Sequence, residues 1–472
     1  MNNRKISRRE FAAAGVGAFA TTALASVPGK SHAEESGGEA IRAEDSLVAA
    51  GVGKAFTFLH TMMDSYAQGQ TLRLIQSYSD QMQLLSTSFV YDNAVVINAL
   101  LERGDPADLQ RALLLGKTLL YAQQNDSIGD GRVRQAYFVS QPDTNGVFAL
   151  PALAPFFFIG SATGDMSWVG MALGHLFSRS GEQQFLNGAV RLGQWIVNNT
   201  FSTSGAGGFT AGVDSNNNPL TYKSTEHNID AFALFTMLAQ LTGNSSWATQ
   251  AQHARSFIQA MFNATSGFFW TGTLTDGATI NTSAIPEDVN TWSFLALQNE
   301  EFSGSVDWAK TNLAVTDTPQ SFNNSVAGNK VRIAGVTYTN FAQHPPIVDN
   351  DFAPSDPFST PPNPSSVWLE GTAHLAATLR ARDLPAELDL PGFIGDRHTA
   401  SGLLLNILGA QATQGAGQTC ASQPIPPGTG VVAASSELNT GFGFSYKPFL
   451  HIGATGWFAI AAQARNPFQL RL

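Results

Sequence analysis

Residues 224–230 carry more reactive side chains than a helix start requires. Glu226, His227 and Asn228 stand next to one another, directly before the apolar run 231–241. One side chain suffices to cap a helix, and an acidic residue in the first turn complements the helix dipole. A carboxylate beside an imidazole can also transfer protons in catalysis. The segment therefore has two interpretations, a capped helix start or one wall of an active site.

The elements that would position these residues are twelve helical segments arranged in six pairs. Six segments are predicted to begin near Tyr91, Trp168, Glu226, Asp288, Trp368 and Phe449. Their partners are residues 45–66 and segments that begin near Pro106, Glu182, Ser246, Ser303 and Arg397.

The connections between these segments alternate in length. Short ones at residues 103–106, 180–182 and 242–244 carry glycine, which suits the end of one helix and the start of the next. Long ones cover residues 124–165, 200–225, 263–287, 316–365 and 415–448. Antiparallel pairs collect short turns at one end and long loops at the other, so the sequence predicts an all-α (α/α)6 toroid. Aromatic stretches such as 207–210 and 267–272 predict short β-hairpins in the long loops.

The starts of five of these segments resemble motifs of the six-hairpin glycosidase class, including its uncharacterised exported bacterial members. They are residues 89–94 (FVYDNA), 224–230 (STEHNID), 288–292 (DVNTW), 367–372 (VWLEGT) and 451–457 (HIGATGW). The resemblance covers nearly the whole chain after the N-terminal signal. It implies the toroid fold, glycoside hydrolysis and inversion at the anomeric carbon.

In a closed ring, the first turns of the six inner helices converge on one funnel. Carboxylates there suit catalysis, and aromatic rings stack on the C–H faces of sugars. Glycoside hydrolysis needs one protonated and one ionised carboxyl group beside the scissile bond. The catalytic candidates are Asp92, Glu226, Asp288 and Glu370, and the candidates for substrate binding are Tyr91, Trp168, His227, Asn228, Trp292, Trp368 and His451.

The sequence also suggests separate roles for two of the carboxyl groups. A helix N-terminus favours an ionised carboxylate, which predicts Glu226 as the base. Glu370 follows Trp368 closely, and an apolar setting there would raise its pKa, which predicts Glu370 as the proton donor. Each candidate also has a structural interpretation, in which the acids complement helix dipoles and the rings fill the core.

The N-terminus predicts export. Residues 7–11 (SRREF), the mild apolar stretch 12–27 and the small-residue site 31–33 are typical of a twin-arginine signal that is cleaved after Ala33. Residues 34–472 then form a single toroid domain in the periplasm or outside the cell. No later segment is apolar enough to span a membrane.

Composition limits the partners and cofactors. Cleavage removes five of the 26 basic residues and one of the 36 acidic ones, so 21 and 35 remain and the formal charge is −14. This acidity disfavours nucleic acid as a partner. The nine histidines are scattered and Cys420 is the only cysteine, so neither a metal nor another cofactor is predicted. Residues 214–218 resemble the start of a calcium loop, but Pro219 occupies the position of the required glycine, which favours a plain turn.

Two alternative functions remain open from the sequence. A uronate-polysaccharide lyase on the same fold could use Tyr222, His227 and Asn228 as base and charge stabilisers. The scarcity of basic residues near the inner helix starts disfavours a polyuronate substrate. A non-catalytic glycan-binding protein of the envelope would need only the aromatic residues.

Overall fold

A computed structural model describes residues 32–82, 84–151, 159–319, 331–343, 362–383, 395–442 and 444–470. All but the last two residues of the predicted signal lie outside this set. Residues Ser46–Leu472 form one compact unit, and only the beginning of the first helix is described in the unit Met1–Asp45. None of the described helices is both long enough and apolar enough to cross a membrane.

Within the described residues there are twelve α-helices, close to where the sequence predicts them. They are α1 (His32–Asp64), α2 (Val90–Arg103), α3 (Pro106–Gln124), α4 (Thr163–Ser180), α5 (Gln183–Thr200), α6 (Thr225–Thr242), α7 (Ser245–Ala260), α8 (Glu287–Leu297), α9 (Ser303–Asn312), α10 (Leu369–Arg382), α11 (Asp396–Thr413) and α12 (Ile452–Ala462). Short 3-10 helices lie at Asp80–Met82, Glu300–Phe302 and Asn340–Gln343.

The even-numbered helices form a closed inner ring. Each one contacts the next from α2 to α12, and α12 packs back against α2. From α3 to α11, each odd-numbered helix packs outside the even-numbered helix that precedes it. Burial follows this order, because α12 is buried on every side whereas α5 buries one apolar stripe. The predicted (α/α)6 toroid is confirmed.

The main correction concerns the start of α4. The helix begins at Thr163, not near Trp168. Trp168 therefore lies more than one turn inside the helix, and Asp165 occupies its first turn. The apolar pattern becomes regular only after Asp165, which explains why the sequence assigns this residue to the preceding loop.

The short connections end and restart helices with the predicted residues. Gly104, Gly181 and Gly243 follow α2, α4 and α6 with φ angles of 77°, 72° and 66°. Only glycine takes up this left-handed conformation without a steric cost. Asp105 then caps α3, and Asn244 caps α7, through hydrogen bonds from Ala107 N and Ser246 N.

The described parts of the long loops contain short antiparallel strands. Two three-stranded sheets join β1 (Thr87–Phe89), β2 (Ala136–Phe138) and β3 (Leu150–Pro151), and β4 (Ser161–Ala162), β5 (Gly212–Val213) and β6 (Pro219–Leu220). Five two-stranded pairs are β7 (Phe262–Asn263) with β8 (Phe268–Phe269), β9 (Gly272–Thr273) with β10 (Ile280–Asn281), β11 (Ala314–Asp317) with β12 (Ile333–Val336), β13 (Thr419–Cys420) with β14 (Gln423–Pro424), and β15 (Leu438–Asn439) with β16 (Ser445–Tyr446). The longest pair, β11 and β12, places Ala314 opposite Val336.

Each inner helix starts from an extended residue that is paired with a loop. Phe89 and Ala162 end strands β1 and β4, and the other four residues before the inner helices form single β-bridges: Ser224, Pro286, Trp368 and His451. The loops therefore determine where the inner helices begin.

A buried side chain at the fourth residue of five inner helices reinforces this junction, and we call it the N-terminal clamp. In α6, Asn228 donates to Ser224 O at 2.8 Å and accepts from Phe209 N at 2.8 Å. The same two-way bonding ties a helix start to a loop at Asn93, Asn290, Thr372 and Thr455. All five side chains are fully buried, so their hydrogen bonds have no competition from water.

Replacement of Asn228 by alanine tests the N-terminal clamp. The backbone N–H and C=O of Phe209 would lose their side-chain partner, while Ser224 O would keep its bond from the backbone N–H of residue 228. We expect the free energy of unfolding to fall by roughly 2–4 kcal/mol. Asn198, an exposed amide on α5, is the control, and Asn198→Ala should change stability by less than about 0.5 kcal/mol. Urea unfolding followed by circular dichroism measures both. An unchanged stability with lost activity would instead place Asn228 in the site.

Candidate active site

The inner helix starts enclose a cavity of about 740 Å³ on the side of the long loops. Ten of the eleven predicted site residues line it: Tyr91, Asp92, Trp168, Glu226, His227, Asp288, Trp292, Trp368, Glu370 and His451. The exception is Asn228, whose amide is committed to the N-terminal clamp. Its predicted role in substrate binding is therefore withdrawn.

The inner helices contribute two layers of residues, one helical turn apart, to the cavity and to the packing beneath it. The upper layer holds the second residue of each inner helix: Tyr91, Gly164, Glu226, Asp288, Glu370 and Gly453. The lower layer holds the sixth residue: Val95, Trp168, Asp230, Trp292, His374 and Trp457. Residues four apart lie above one another on a helix, so Asp288 stands above Trp292, Glu370 above His374 and Glu226 above Asp230.

Aromatic rings close the bottom of the cavity. The ring centroids of Trp168, Trp292 and Trp457 lie 5.2–5.9 Å from one another. His374 packs 4.4 Å from Trp457, and Phe468, near the C-terminus, packs against Trp168 at 5.2 Å. Trp168 and Trp292 face the cavity, whereas Trp457 is fully buried beneath it.

The long loops add an aromatic side wall that the sequence does not predict. Tyr446 stacks on Trp368 with centroids 5.8 Å apart, and Tyr338 packs edge-on against Trp368 at 4.6 Å. Tyr78 stacks on the imidazole of His451 at 4.2 Å. All three tyrosines line the cavity. Such flat faces can support sugar rings.

Glu370 is surrounded by groups that stabilise its ionised form. The hydroxyl of Tyr91 donates to Glu370 Oε1 at 2.5 Å and itself accepts from the indole N–H of Trp457 at 2.8 Å. His374 Nε2 lies 3.7 Å from Oε1, and His451 Nδ1 lies 3.5 Å from Oε2. Burial raises the pKa of Glu370, but the two imidazoles and the Tyr91 hydroxyl outweigh it and hold the pKa below its ordinary value.

The two imidazoles are held in their charged form by carboxylates on their other sides. Burial lowers the pKa of His374, but Glu287, 3.2 Å from Nδ1, and Glu370 outweigh it and raise the pKa to about 9. Burial likewise lowers the pKa of His451, and Asp92, 3.1 Å from Nε2, more than offsets it. These carboxylates therefore favour the charged form of both rings.

The opposite side of the cavity favours protonated carboxyl groups. Asp165, Glu226 and Asp288 line this side, and Asp230 is fully buried one helical turn after Glu226; we call these four residues the acid wall. Burial, followed by the charge of Asp165, raises the pKa of Glu226 to about 7. Burial, followed by the charge of Asp92, raises the pKa of Asp165 to about 8. Burial and the charge of Glu226 raise the pKa values of Asp230 and Asp288 well above the ordinary value.

These environments oppose the roles that the sequence suggests. Glu370 is the ionised carboxylate, so it suits a base and not a proton donor. The raised pKa of Glu226 favours its protonated form, so it suits the acid. The helix dipole acts on both, but burial exceeds it at Glu226, and two cationic neighbours exceed burial at Glu370.

Several cavity residues escape the sequence-based assignment. Asp165 is missed because α4 starts earlier than predicted. His374 lies one turn after Glu370, a spacing that could have revealed it. Tyr338 and Tyr446 come from loops without a periodic pattern, so no sequence signal places them.

The features considered for metal binding serve other purposes or are lacking in the described part of the chain. Asp214 accepts hydrogen bonds from Asn216 N and Asn218 N inside its own turn, as expected for a plain turn. Across the described residues, no group of three or more His, Cys, Asp or Glu side chains is arranged to hold a metal ion.

Known proteins share the fold at low sequence identity. No family model and no curated protein sequence matches the chain. Cellobiose 2-epimerase from Bacillus thermoamylovorans has a TM-score of 0.56 at 8% identity, over 87% of this chain and 98% of its own. Unsaturated glucuronyl hydrolase from Streptococcus agalactiae has a TM-score of 0.54 at 10% identity, over 89% of this chain and 91% of its own. A glycoside hydrolase family 76 mannosidase from Bacteroides thetaiotaomicron has a TM-score of 0.52 at 8% identity, over 89% of this chain and 98% of its own.

The chain therefore shares the (α/α)6 toroid fold with these three proteins. At these identities the likeness extends to the fold and not to the reaction, because one fold serves several chemistries. Any reaction must be argued from the cavity.

The acid wall predicts a loss of stability at high pH. The pKa of Asp165 is about 8 in the folded protein and about 3.9 in an unfolded chain, so its protonation stabilises the fold fully below about pH 4 and this contribution is lost as the pH rises through 8. We expect Asp165→Asn to gain about 1.4 kcal/mol over the wild type for each pH unit between 5 and 8. Urea unfolding across this range measures the gain. Asp276→Asn, at an exposed turn, is the control, and equal slopes in all three proteins would contradict the prediction.

Proposed function

We propose that the protein is a glycoside hydrolase in which Glu226 is the proton donor and Glu370 activates water. The observation that carries this proposal is the opposite ionisation of two carboxyl groups in one cavity. The pKa of Glu226 is raised to about 7, whereas that of Glu370 lies below its ordinary value. Hydrolysis of a glycosidic bond requires such a pair.

The lining of the cavity supports a carbohydrate substrate. Aromatic faces on the floor and side wall offer stacking surfaces, while carboxyl groups at the helix starts offer hydrogen bonds to hydroxyls. The volume of about 740 Å³ falls within the range of small-molecule sites. Hydrolases of glycans also occur on this fold, as the mannosidase and the glucuronyl hydrolase illustrate.

The reaction would proceed in one displacement. Glu370 takes a proton from a water molecule as the oxygen of that water attacks the anomeric carbon. Glu226 gives its proton to the glycosidic oxygen as the bond to the leaving sugar breaks. Both oxygens of Glu370 face cationic or hydroxyl neighbours, and this favours the activation of water over direct attack by the carboxylate. We therefore propose inversion at the anomeric carbon.

A polysaccharide lyase fits the cavity less well. Burial and the nearby Glu226 raise the pKa of Tyr222, which disfavours the phenolate form that a catalytic base requires. The amide of Asn228 is held by the backbone. No Lys or Arg side chain is among the described residues that line the cavity, so an anionic polyuronate would lack countercharges.

A sugar epimerase or isomerase is the second candidate. Two imidazoles reach the cavity, His227 with a pKa lowered by burial to about 4 and His451 with a raised pKa. A neutral and a charged imidazole can serve as base and acid in proton transfer at carbon. Such a reaction takes up no water, so the product mass separates it from hydrolysis.

Substitution of the two carboxyl groups tests the hydrolase assignment. Glu226→Gln and Glu370→Gln should each lower kcat by about 10²–10⁴-fold on natural glycosides. A 4-nitrophenyl glycoside needs no protonation on departure, so it should restore much of the activity of Glu226→Gln but not of Glu370→Gln. Release of reducing ends measures hydrolysis, and proton NMR of the first product gives its anomeric form.

The control for these variants is Glu301→Gln, which changes an exposed acid and should leave kcat unchanged. Unchanged hydrolysis in both cavity variants would refute the assignment. Retention of the anomeric configuration would refute inversion alone. Glycan binding without turnover by the wild type would favour a binding protein.

We further propose that the enzyme acts outside the cytoplasm after twin-arginine export. The support is the pair Arg8 and Arg9 before an apolar stretch. Replacement of both by lysine should leave a full-length precursor in the cytoplasm, whereas the wild type should yield a mature chain that starts at Glu34. Mass spectrometry of cell fractions separates these outcomes, and equal export of both would exclude this route.

A further inference from the structure

Tyr222 stands at the edge of the cavity, on the side of the proposed proton donor. It lines the cavity and keeps 37% of its surface exposed. It precedes Glu226 by four residues, so the two Cα atoms are at most about 14 Å apart. The charge of Glu226 also helps to raise the pKa of Tyr222, which places the two side chains near each other. Tyr222 is therefore a partly exposed wall of the cavity beside Glu226.

The chain before helix α6 directs the ring of Tyr222 towards the cavity. Leu220 and Tyr222 line the cavity. The side chain of Lys223 is buried on another side, where its Nζ donates to Ser204 O at 2.6 Å. Such alternation is what an extended segment imposes on consecutive side chains. The buried ammonium group of Lys223 thereby fixes the direction in which Tyr222 points.

The backbone at Tyr222 is held by the loops on both sides. Tyr222 O accepts a hydrogen bond from Ala211 N at 2.9 Å. On the other side, Lys223 N donates to Thr273 Oγ1 at 3.0 Å, and Lys223 O accepts from Thr273 N at 2.9 Å. The ring is therefore in place before a ligand arrives, and a fixed surface loses little conformational freedom on binding.

The ring of Tyr222 differs from the other aromatic rings of the cavity because it lacks an aromatic partner. Among the described residues, no other ring packs against it and no group forms a hydrogen bond with its hydroxyl. By contrast, Tyr78, Tyr338 and Tyr446 each pack against another ring. Tyr222 therefore offers an open aromatic face at the edge of the cavity.

We propose that this face of Tyr222 holds the leaving sugar, so that the substrate is a neutral oligosaccharide or polysaccharide and not a glycoside of a small alcohol. The inference rests on the proposed hydrolase function. Glu226 must come within about 3 Å of the glycosidic oxygen to protonate it. The sugar on the far side of that oxygen then lies next to Glu226 and within reach of Tyr222. Leu220 extends the apolar surface on which the C–H face of this sugar packs.

Hydrolysis of paired substrates isolates this contact. Each pair consists of a disaccharide of glucose, galactose or mannose and the fluoride of the same sugar in the same anomeric form. Both substrates place the same sugar between Glu226 and Glu370, but fluoride is too small to reach Tyr222. The ratio of kcat/KM for the disaccharide to kcat/KM for the fluoride therefore measures what the leaving sugar contributes.

Variants of Tyr222 should change this ratio in a graded way. Tyr222→Ala removes the stacking surface and should lower the ratio by about ten-fold or more. Tyr222→Phe keeps the ring and should change the ratio by less than about three-fold. Ile128→Ala, at an exposed apolar residue outside the cavity lining, is the control and should leave the ratio unchanged. Because both substrates are measured on one preparation, the ratio does not depend on the folded fraction.

Calorimetric titration tests the same contact without turnover. Glu226→Gln slows hydrolysis, so this variant can be titrated with the disaccharides and with the corresponding monosaccharides. It should bind at least one disaccharide more tightly than the monosaccharide. Addition of Tyr222→Ala to this variant should lower the affinity for that disaccharide by about ten-fold or more and the affinity for the monosaccharide by less than about two-fold.

Three results would overturn the inference. They are a ratio and a disaccharide affinity that survive Tyr222→Ala, a loss as large in Tyr222→Phe as in Tyr222→Ala, and the lack of any preference for disaccharides over monosaccharides. Hydrolysis that is insensitive to Tyr222→Ala would leave the hydrolase assignment intact. Conversely, disaccharide binding that depends on Tyr222 without hydrolysis of any substrate would refute the hydrolase assignment and preserve the sugar-binding role of Tyr222.

Discussion

A buried amide or hydroxyl at the fourth residue of an inner helix holds the functional end of the toroid together. Because this one side chain bonds both to its own helix start and to a loop backbone, it fixes the loop and the helix in one arrangement. The second and sixth residues of the helix then lie at set positions relative to the loop. The N-terminal clamp thereby converts five separate helix starts into the two ordered layers of one cavity.

The pKa values of the cavity carboxyl groups depend on the helix dipole, on burial and on charged neighbours. Which of these effects is largest differs between the two sides of the cavity. A helix N-terminus stabilises a carboxylate by about 0.3–1 kcal/mol, and by about 2 kcal/mol at most. Burial, with a further contribution from the charge of Asp92, raises the pKa of Asp165 from 3.8 to about 8. Each pKa unit corresponds to about 1.4 kcal/mol, so these effects exceed that of the helix N-terminus. At Glu370 two imidazolium neighbours reverse the balance. The same helix geometry therefore supports an acid on one side and a base on the other.

The sequence predicts the helices and their order better than it predicts the protonation states of the cavity residues. Apolar periodicity and glycine turns give the twelve helices, and the convergence of the inner helix starts gives ten of the cavity residues. The protonation states depend instead on contacts between distant parts of the chain, such as Tyr91 with Glu370 and His451 with Asp92. Asn228 illustrates the same limit, because a polar residue at a helix start can serve the backbone as well as a ligand. Tyr338 and Tyr446 come from loops whose sequences show no hydrophobic periodicity, so the sequence does not predict their positions.

The aromatic floor closes the centre of the ring, so the cavity is a pocket and not a channel. Trp168, Trp292 and Trp457 meet at the axis of the ring, and Phe468 packs against them. In the proposed hydrolase, this floor would prevent a glycan chain from being threaded through the ring and cleaved repeatedly along its length. Substrate would enter and products would leave on the side of the long loops, so each catalytic cycle would include an exchange there.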